Sequence, residues 1–200
     1  NGITNFVSLL DNIMVGQVGT EQMTGVAIVN QLIFVYNLCI FGGVSGAGIF
    51  TAQFFGQKDD EGVANTMRFK LYMGILLTGV TILLFLAFGE PLIQMYLKGN
   101  QDGGDVAAAL RYGKEYLGIM LIGLPPFMLV QVYASTLREC GRTITPMKAG
   151  IAAVVVNLVF NYFLIYGKFG FPELGVAGAA VASNTGPYII GVIIRGNARR

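Results

Sequence analysis

The sequence predicts an all-α integral membrane fold, a six-helix transmembrane bundle, and three observations predict it. Of its 200 residues 54% are hydrophobic and only 12% are charged, where a soluble domain carries roughly a quarter charged residues. The mean hydropathy is +0.64. The charges cluster, and the clusters divide the chain into six apolar lengths near the roughly 20 residues that a membrane helix needs. Finally, Lys and Arg are unequally shared between the two sets of helix ends, as topology in a membrane requires.

The first helix is expected at about 1–16, closed by Gly16 and Gly19. It is short for a span, and the chain opens on Asn1 inside an apolar run, so this end reads as a trimmed start. No basic n-region or cleavage site marks it as a signal peptide. The second helix is expected at 24–52, inside the charge-free interval between Glu21 and Lys58. The third is expected at 66–89, ahead of Glu90, and the fourth at 106–137, ahead of Arg138. The fifth, 146–167, ends before Lys168, and the sixth, 175–194, lies between Glu173 and Arg195. Pro125-Pro126 and Pro187 fall inside the fourth and sixth helices, where a missing N–H should kink them. Gly42-x-x-x-Gly46 offers a small-residue face for close helix approach, and ordinary membrane-helix glycine explains it equally.

Alternating spans put Lys58, Arg68, Lys70, Arg138, Arg142, Lys148, Arg195, Arg199 and Arg200 at one set of ends. Lys98, Arg111, Lys114 and Lys168 fall at the other. The richer set is assigned to the cytoplasm, giving a multi-pass protein of the cell membrane with both termini inside.

Several chemistries are excluded. There is no His, so neither a His-based zinc site nor a Ser-His or Cys-His mechanism is expected. Gly43-Val44-Ser45-Gly46 resembles a serine nucleophile motif but has no His base. Cys39 and Cys140 form no metal-binding pair. No P-loop, HExxH or GxGxxG is present. The expectation is a protein without enzymatic activity, metal or cofactor, and a net charge of +2 suggests no nucleic-acid partner.

Polar residues inside the apolar lengths point elsewhere. Asp11 is a carboxylate in the otherwise uncharged run 5–16. An ionisable group at membrane depth is costly and marks a functional site by default, and desolvation raises its pKa toward proton exchange. A carboxylate snorkelling near a helix end would explain it as well. Asn157 and Asn161 share a helical face four residues apart, which must look into a protein interface or a wet cavity. Asn30, Gln31, Tyr36 and Asn37 in the second helix, Gln131 in the fourth and Ser183 in the sixth lie at comparable depth. Together they suggest a solvated cavity lined by Met14, Gln31, Tyr36, Asn37, Gln131 and Ser183. Interhelical hydrogen bonding would account for any one of them.

Five motifs in order resemble the multidrug and toxic compound extrusion (MATE) transporters. Asp11-Asn12-Ile13-Met14-Val15-Gly16-Gln17-Val18-Gly19 is similar to the family's D-x-x-M-V-G-x-x-G. Ala52-Gln53-Phe54-Phe55-Gly56-Gln57-Lys58-Asp59 is similar to A-Q-x-x-G-A-x-D. Leu137-Arg138-Glu139-Cys140-Gly141-Arg142-Thr143 with Pro146-Met147 resembles L-R-A-x-G-D-T-x-x-P-M. Asn157-Leu158-Val159-Phe160-Asn161-Tyr162 resembles N-x-x-L-D-Y, and Gly175-Val176-Ala177-Gly178-Ala179-Ala180-Val181-Ala182-Ser183 resembles G-V-x-G-A-A-x-A-T. The resemblance implies the N-terminal lobe of a twelve-helix, two-lobe carrier whose second lobe is absent from this chain.

It further implies alternating-access export of drug-like, often cationic organic compounds in exchange for H+ or Na+. Asp11 and Asn157 carry over as cation-coupling residues, with Asn161 where many members have a second Asp. One carboxylate favours protons over sodium. A lipid-linked oligosaccharide flippase of the same superfamily is the alternative. Such flippases often carry cations in the cavity, and no Lys or Arg is expected in the middle of a helix here. A truncated membrane scaffold without transport is a further alternative.

Overall fold

The computed structural model describes residues 9, 13, 14, 16, 17, 19–99, 106–166 and 174–198. Leu9, Ile13, Met14 and Gly16 are helical. The rest of the expected first helix, Asp11 included, lies outside the described residues.

Five long helices follow: α1 (Thr20–Gly56), α2 (Asp60–Gly99), α3 (Val106–Glu139), α4 (Ile144–Tyr166) and α5 (Gly175–Ala198). No strand occurs among the described residues, and α1 to α4 are each long and apolar enough to cross a membrane. Leu83, Leu86 and Ile122 stand 68%, 70% and 70% exposed. A surface this apolar belongs against lipid, since large exposed patches mark interfaces or membrane contact. The chain is therefore an all-α, multi-pass membrane protein.

The helices outrun the apolar lengths that announce them. At 1.5 Å per residue, the 40 residues of α2 reach about 60 Å, twice the roughly 30 Å hydrocarbon core. It begins at Asp60 rather than 66 and passes Glu90 and Pro91 before ending at Gly99. Charges mark where the bilayer ends; helices end where the backbone is capped. Two such caps are visible. At the end of α1, Asp59 N–H reaches the Phe54 carbonyl at 2.9 Å and Lys58 N–H reaches Phe55 at 3.1 Å, with Lys58 at φ 59°. At the end of α3, Arg142 N–H reaches Leu137 at 2.8 Å and Gly141 N–H reaches Arg138 at 3.0 Å, with Gly141 at φ 75°. Both are Schellman closures, which need a left-handed residue where glycine costs least. Asp59 also starts α2, its Oδ1 accepting the Gly62 N–H at 3.0 Å, as an N-cap should.

The core is a seam between α1 and α3. Val26, Val29, Ile33, Tyr36 and Ile40 are buried on α1 at alternating spacings of three and four, facing Leu117, Leu121, Leu124 and Met128. Gly25 sits where the backbones cross: a Cβ there would lie 2.6 Å from the Ala109 carbonyl oxygen. By contrast, a Cβ at Gly42 or Gly46 would meet nothing within 4 Å, so the Gly42-x-x-x-Gly46 pattern makes no close helix contact here. α2 packs on α1 and α3; α4 runs along α5, and α5 along α3. Consecutive α3 and α4 scarcely touch. Pro125 and Pro126 lie within α3, and Pro187 within α5, without ending either helix.

Candidate functional site

Because α5 holds both α3 and α4 while these two stay apart, a cavity of about 320 Å³ opens between the three helices. Its polar lining is Gln131 and Arg138 from α3, Thr143 and Asn157 from the α4 side, and Ser183 from α5. Phe127, Val130, Val154 and Ile190 supply apolar wall. From Thr143 to Asn157 the cavity follows α4 for about 20 Å, at 1.5 Å per residue.

The inner end is an amide pair. Asn157 is 3% exposed and Asn161 0%, and Asn161 Nδ2 donates to Asn157 Oδ1 at 3.2 Å. One helical turn separates them, so their side chains share a face. Asn157 lines the cavity and Asn161 stands behind it. A buried amide without a partner costs about 1–3 kcal/mol, and the mutual bond offsets part of that cost. Asn184 clamps the facing wall: its Nδ2 donates to the Ile119 carbonyl at 2.7 Å, over Gly123, where no Cβ would fit beside the amide.

The structure brings Gln131, Asn157 and Ser183 to one cavity, with Asn161 supporting them. It does not bring the other predicted lining residues there. Gln31 is exposed on α1. Tyr36 is a core residue, its hydroxyl 2.8 Å from Thr78 Oγ1 and 3.4 Å from the Leu124 carbonyl. Asn37 is half-buried on α1, its Oδ1 enclosed with no hydrogen-bond partner among the described residues. Met14 is partly buried against the hydrophobic core. Depth in the sequence put Gln31, Tyr36 and Asn37 with the cavity residues; direction around α1 keeps them away from it. Asp11 lies outside the described residues.

Two charged residues escaped the sequence reading. Lys70 is fully buried inside α2, paired with Glu139 of α3 and 3.4 Å from Ser135 Oγ. Glu139 is seated over Gly48 of α1, where a Cβ would collide with its carboxylate. The pair thus joins three helices. Spacing could not reveal it, because the partners stand 69 residues apart. The expectation that no cation sits in the middle of a helix therefore fails at Lys70, while Arg138 lines the cavity from the last turn of α3; the absence of cations no longer separates a drug exporter from a flippase. A roomier groove of about 540 Å³ opens at the α1–α2 turn beside Phe50, Phe54 and Phe69. Its Asp59 already caps α2, and none of the predicted site residues that are described lies there.

A family model described as MatE matches residues 1–163. The chain is 30% identical over 187 residues to "Probable multidrug resistance protein NorM" of Thermotoga maritima, covering 92% of this chain and 38% of that protein. A protein of the same name from Bacillus cereus is 29% identical over 187 residues, covering 94% and 40%. The chain thus spans about two fifths of the length of these curated relatives. Among solved structures, an inward-facing multidrug resistance MATE family transporter of the MOP superfamily superposes with a TM-score of 0.78 at 22% identity, covering 94% of this chain and 40% of that one. Its outward-facing counterpart gives 0.75 at 22% identity, covering 96% and 40%. A MATE crystal structure in complex with MaD5 gives 0.80 at 22%, covering 96% and 41%. With a family model over most of its length, and helices laid out as in these transporters, the chain belongs to the MatE family of membrane transporters and forms the N-terminal part of the fold.

Proposed function

We propose that this chain is the N-terminal lobe of a proton-coupled antiporter that exports drug-like organic compounds by alternating access. The observation that carries the reading is the buried Asn157–Asn161 pair at the inner end of a cavity shared with Gln131 and Ser183. Paired amides at membrane depth are a cost that a merely structural helix could avoid with leucine. In this reading Asp11 takes up and releases the proton, and the two amides orient and solvate its carboxylate. A single carboxylate with neutral oxygens serves a proton better than a sodium ion, which asks for several hard oxygen ligands and compensating charge. The near-equal likeness to inward- and outward-facing relatives supports a lobe that moves as a unit, as rocking carriers require. The lysine and arginine bias supports a cytoplasmic location for both ends of this chain.

The test is drug efflux from proteoliposomes containing the full-length transporter, driven first by an imposed pH gradient and then by a sodium gradient. The expected result is efflux that follows pH and is lost in Asp11→Asn with insertion unchanged. Normal export by Asp11→Asn, or efflux that follows sodium and ignores pH, would overturn the assignment.

A further inference from the structure

Among its described lining residues, the cavity has a charge at one end only. Arg138 lies at the last turn of α3, opposite Thr143, Pro146 and Met147 at the start of α4. No acidic residue is among the described lining residues. The adjacent carboxylate, Glu139, cannot neutralise it. Consecutive helical positions point about 100° apart, and Glu139 is turned away onto Lys70 and Gly48. Arg138 makes no ion pair among the described residues. The same end is the N-terminus of α4, whose dipole adds positive potential. Above it the wall is apolar: Phe127, Val130, Val154 and Ile190.

We propose that this end of the cavity binds an anionic amphiphile, with Arg138 as its specificity-determining residue. A phosphate or carboxylate would sit on the guanidinium, whose planar fork suits two-oxygen acceptors, and the hydrocarbon would run inward toward Gln131 and Ser183. Lys70 and Glu139 act through Arg138. By engaging each other they fix the end of α3 and leave the cavity mouth with one uncompensated positive charge. The inference names a ligand class for the site of the proposed function and rests on that reading only in taking the cavity as the carrier's own. The anion can come from a soluble compound or from the bilayer, and the chemistry at Arg138 is the same.

The experiment measures calorimetric binding of octyl phosphate to the full-length protein in a neutral maltoside detergent, against octyltrimethylammonium. The expected result is preference for the phosphate, weakened roughly tenfold in Arg138→Gln and partly retained in Arg138→Lys. Equal binding by Arg138→Gln, or preference for the ammonium compound, overturns the proposal. Arg138 is exposed at a helix end, and an unchanged melting temperature for Arg138→Gln shows that the loss is not misfolding. Repeating the titration in phosphatidylcholine nanodiscs, with and without phosphatidylglycerol, identifies the source. Competition by phosphatidylglycerol shows that the bilayer supplies the anion, and undiminished binding shows that a soluble compound does. Either leaves the assignment of Arg138 standing. Absence of phosphate binding by the unsubstituted protein with proton-driven efflux intact would refute this inference and spare the proposed function; phosphate binding through Arg138 without proton-driven efflux would refute the function alone.

Discussion

On one side of α3, polar groups are spent on holding helices together. Lys70 meets Glu139, Tyr36 meets Thr78, and Tyr116 donates to Asn30 Oδ1 at 3.2 Å. On the other side, Gln131, Arg138, Asn157 and Ser183 face a cavity that α5 keeps open. The two sides draw on similar residue types at similar depth. What separates them is whether a neighbouring helix comes close enough to supply the partner: α1 and α2 do, and α4 does not. Polarity inside a membrane helix therefore identifies a site only once the helix facing it is known.

The largest expected effect breaks the sealed side. Lys70→Met leaves the largely buried Glu139 without its cation, and since removing one partner of a fully buried pair costs about 3–5 kcal/mol, the loss here should approach the lower end of that range. Replacing both, as Lys70→Met with Glu139→Leu, should recover most of that loss, since an apolar pair pays no desolvation. Gln131→Leu on the open side should change stability by less than about 1 kcal/mol, having no packed partner to lose. Thermal unfolding in detergent reads all three. If Gln131→Leu proved as damaging as Lys70→Met, the contrast between the two sides would not hold.

A middle-sized effect locates the backbone crossings. Gly25→Ala forces a methyl to within 2.6 Å of the Ala109 carbonyl oxygen and 2.8 Å of the Gly113 amide nitrogen. Both are backbone atoms that cannot swing aside, so overpacking should cost about 1–3 kcal/mol. Gly178→Ala should behave alike where α5 crosses α4, with its methyl 2.6 Å from the Leu164 carbonyl oxygen. Gly42→Ala meets nothing within 4 Å and should be neutral or stabilising by up to about 1 kcal/mol through helix propensity. Melting temperatures of the three variants rank them. Destabilisation by Gly42→Ala comparable to Gly25→Ala would mean that α1 crosses a neighbour lower than it does here.

Much of this was readable in the sequence, for identifiable reasons. Helices crossing lipid must be long and apolar, so the charge clusters around Lys58, Arg138 and Lys168 gave away the spans. The i, i+4 spacing of Asn157 and Asn161 put both on one face with no tertiary knowledge. Tyr36 and Gln31 were misplaced because depth along a helix is one-dimensional, and the choice between core, lipid and cavity depends on rotation about the axis. Lys70 was invisible as a buried residue because its helix begins at Asp60 and its partner is on another helix. The Gly25 crossing is not legible in the sequence, since a lone glycine carries no pattern, whereas Gly42-x-x-x-Gly46 has one and makes no close contact.

The smallest effect reads the charge balance of the sealed side from its edge. Cys140 follows Glu139 in the turn that closes α3, and it is partly buried. Burial pushes its thiol above the ordinary cysteine range and the Glu139 carboxylate pushes it further, against opposing pulls from Lys70 and Arg142. The thiolate is the reactive form, so at pH 7.5 maleimide labelling of Cys140 should be slower than that of an unperturbed cysteine. It should rise about tenfold per pH unit until the raised pKa is reached. A Cys39→Ala background leaves Cys140 as the only cysteine of this chain. Glu139→Gln removes a charge that raises the pKa and frees the Lys70 cation that lowers it, so labelling at fixed pH should accelerate. Lys70→Met removes a lowering charge and should slow it. Two shifts of opposite sign would show that Lys70 and Glu139 both act on this thiol, as a closed pair at the end of α3 must. Identical rates in both variants would place the pair away from Cys140 and undo the sealed side of the comparison.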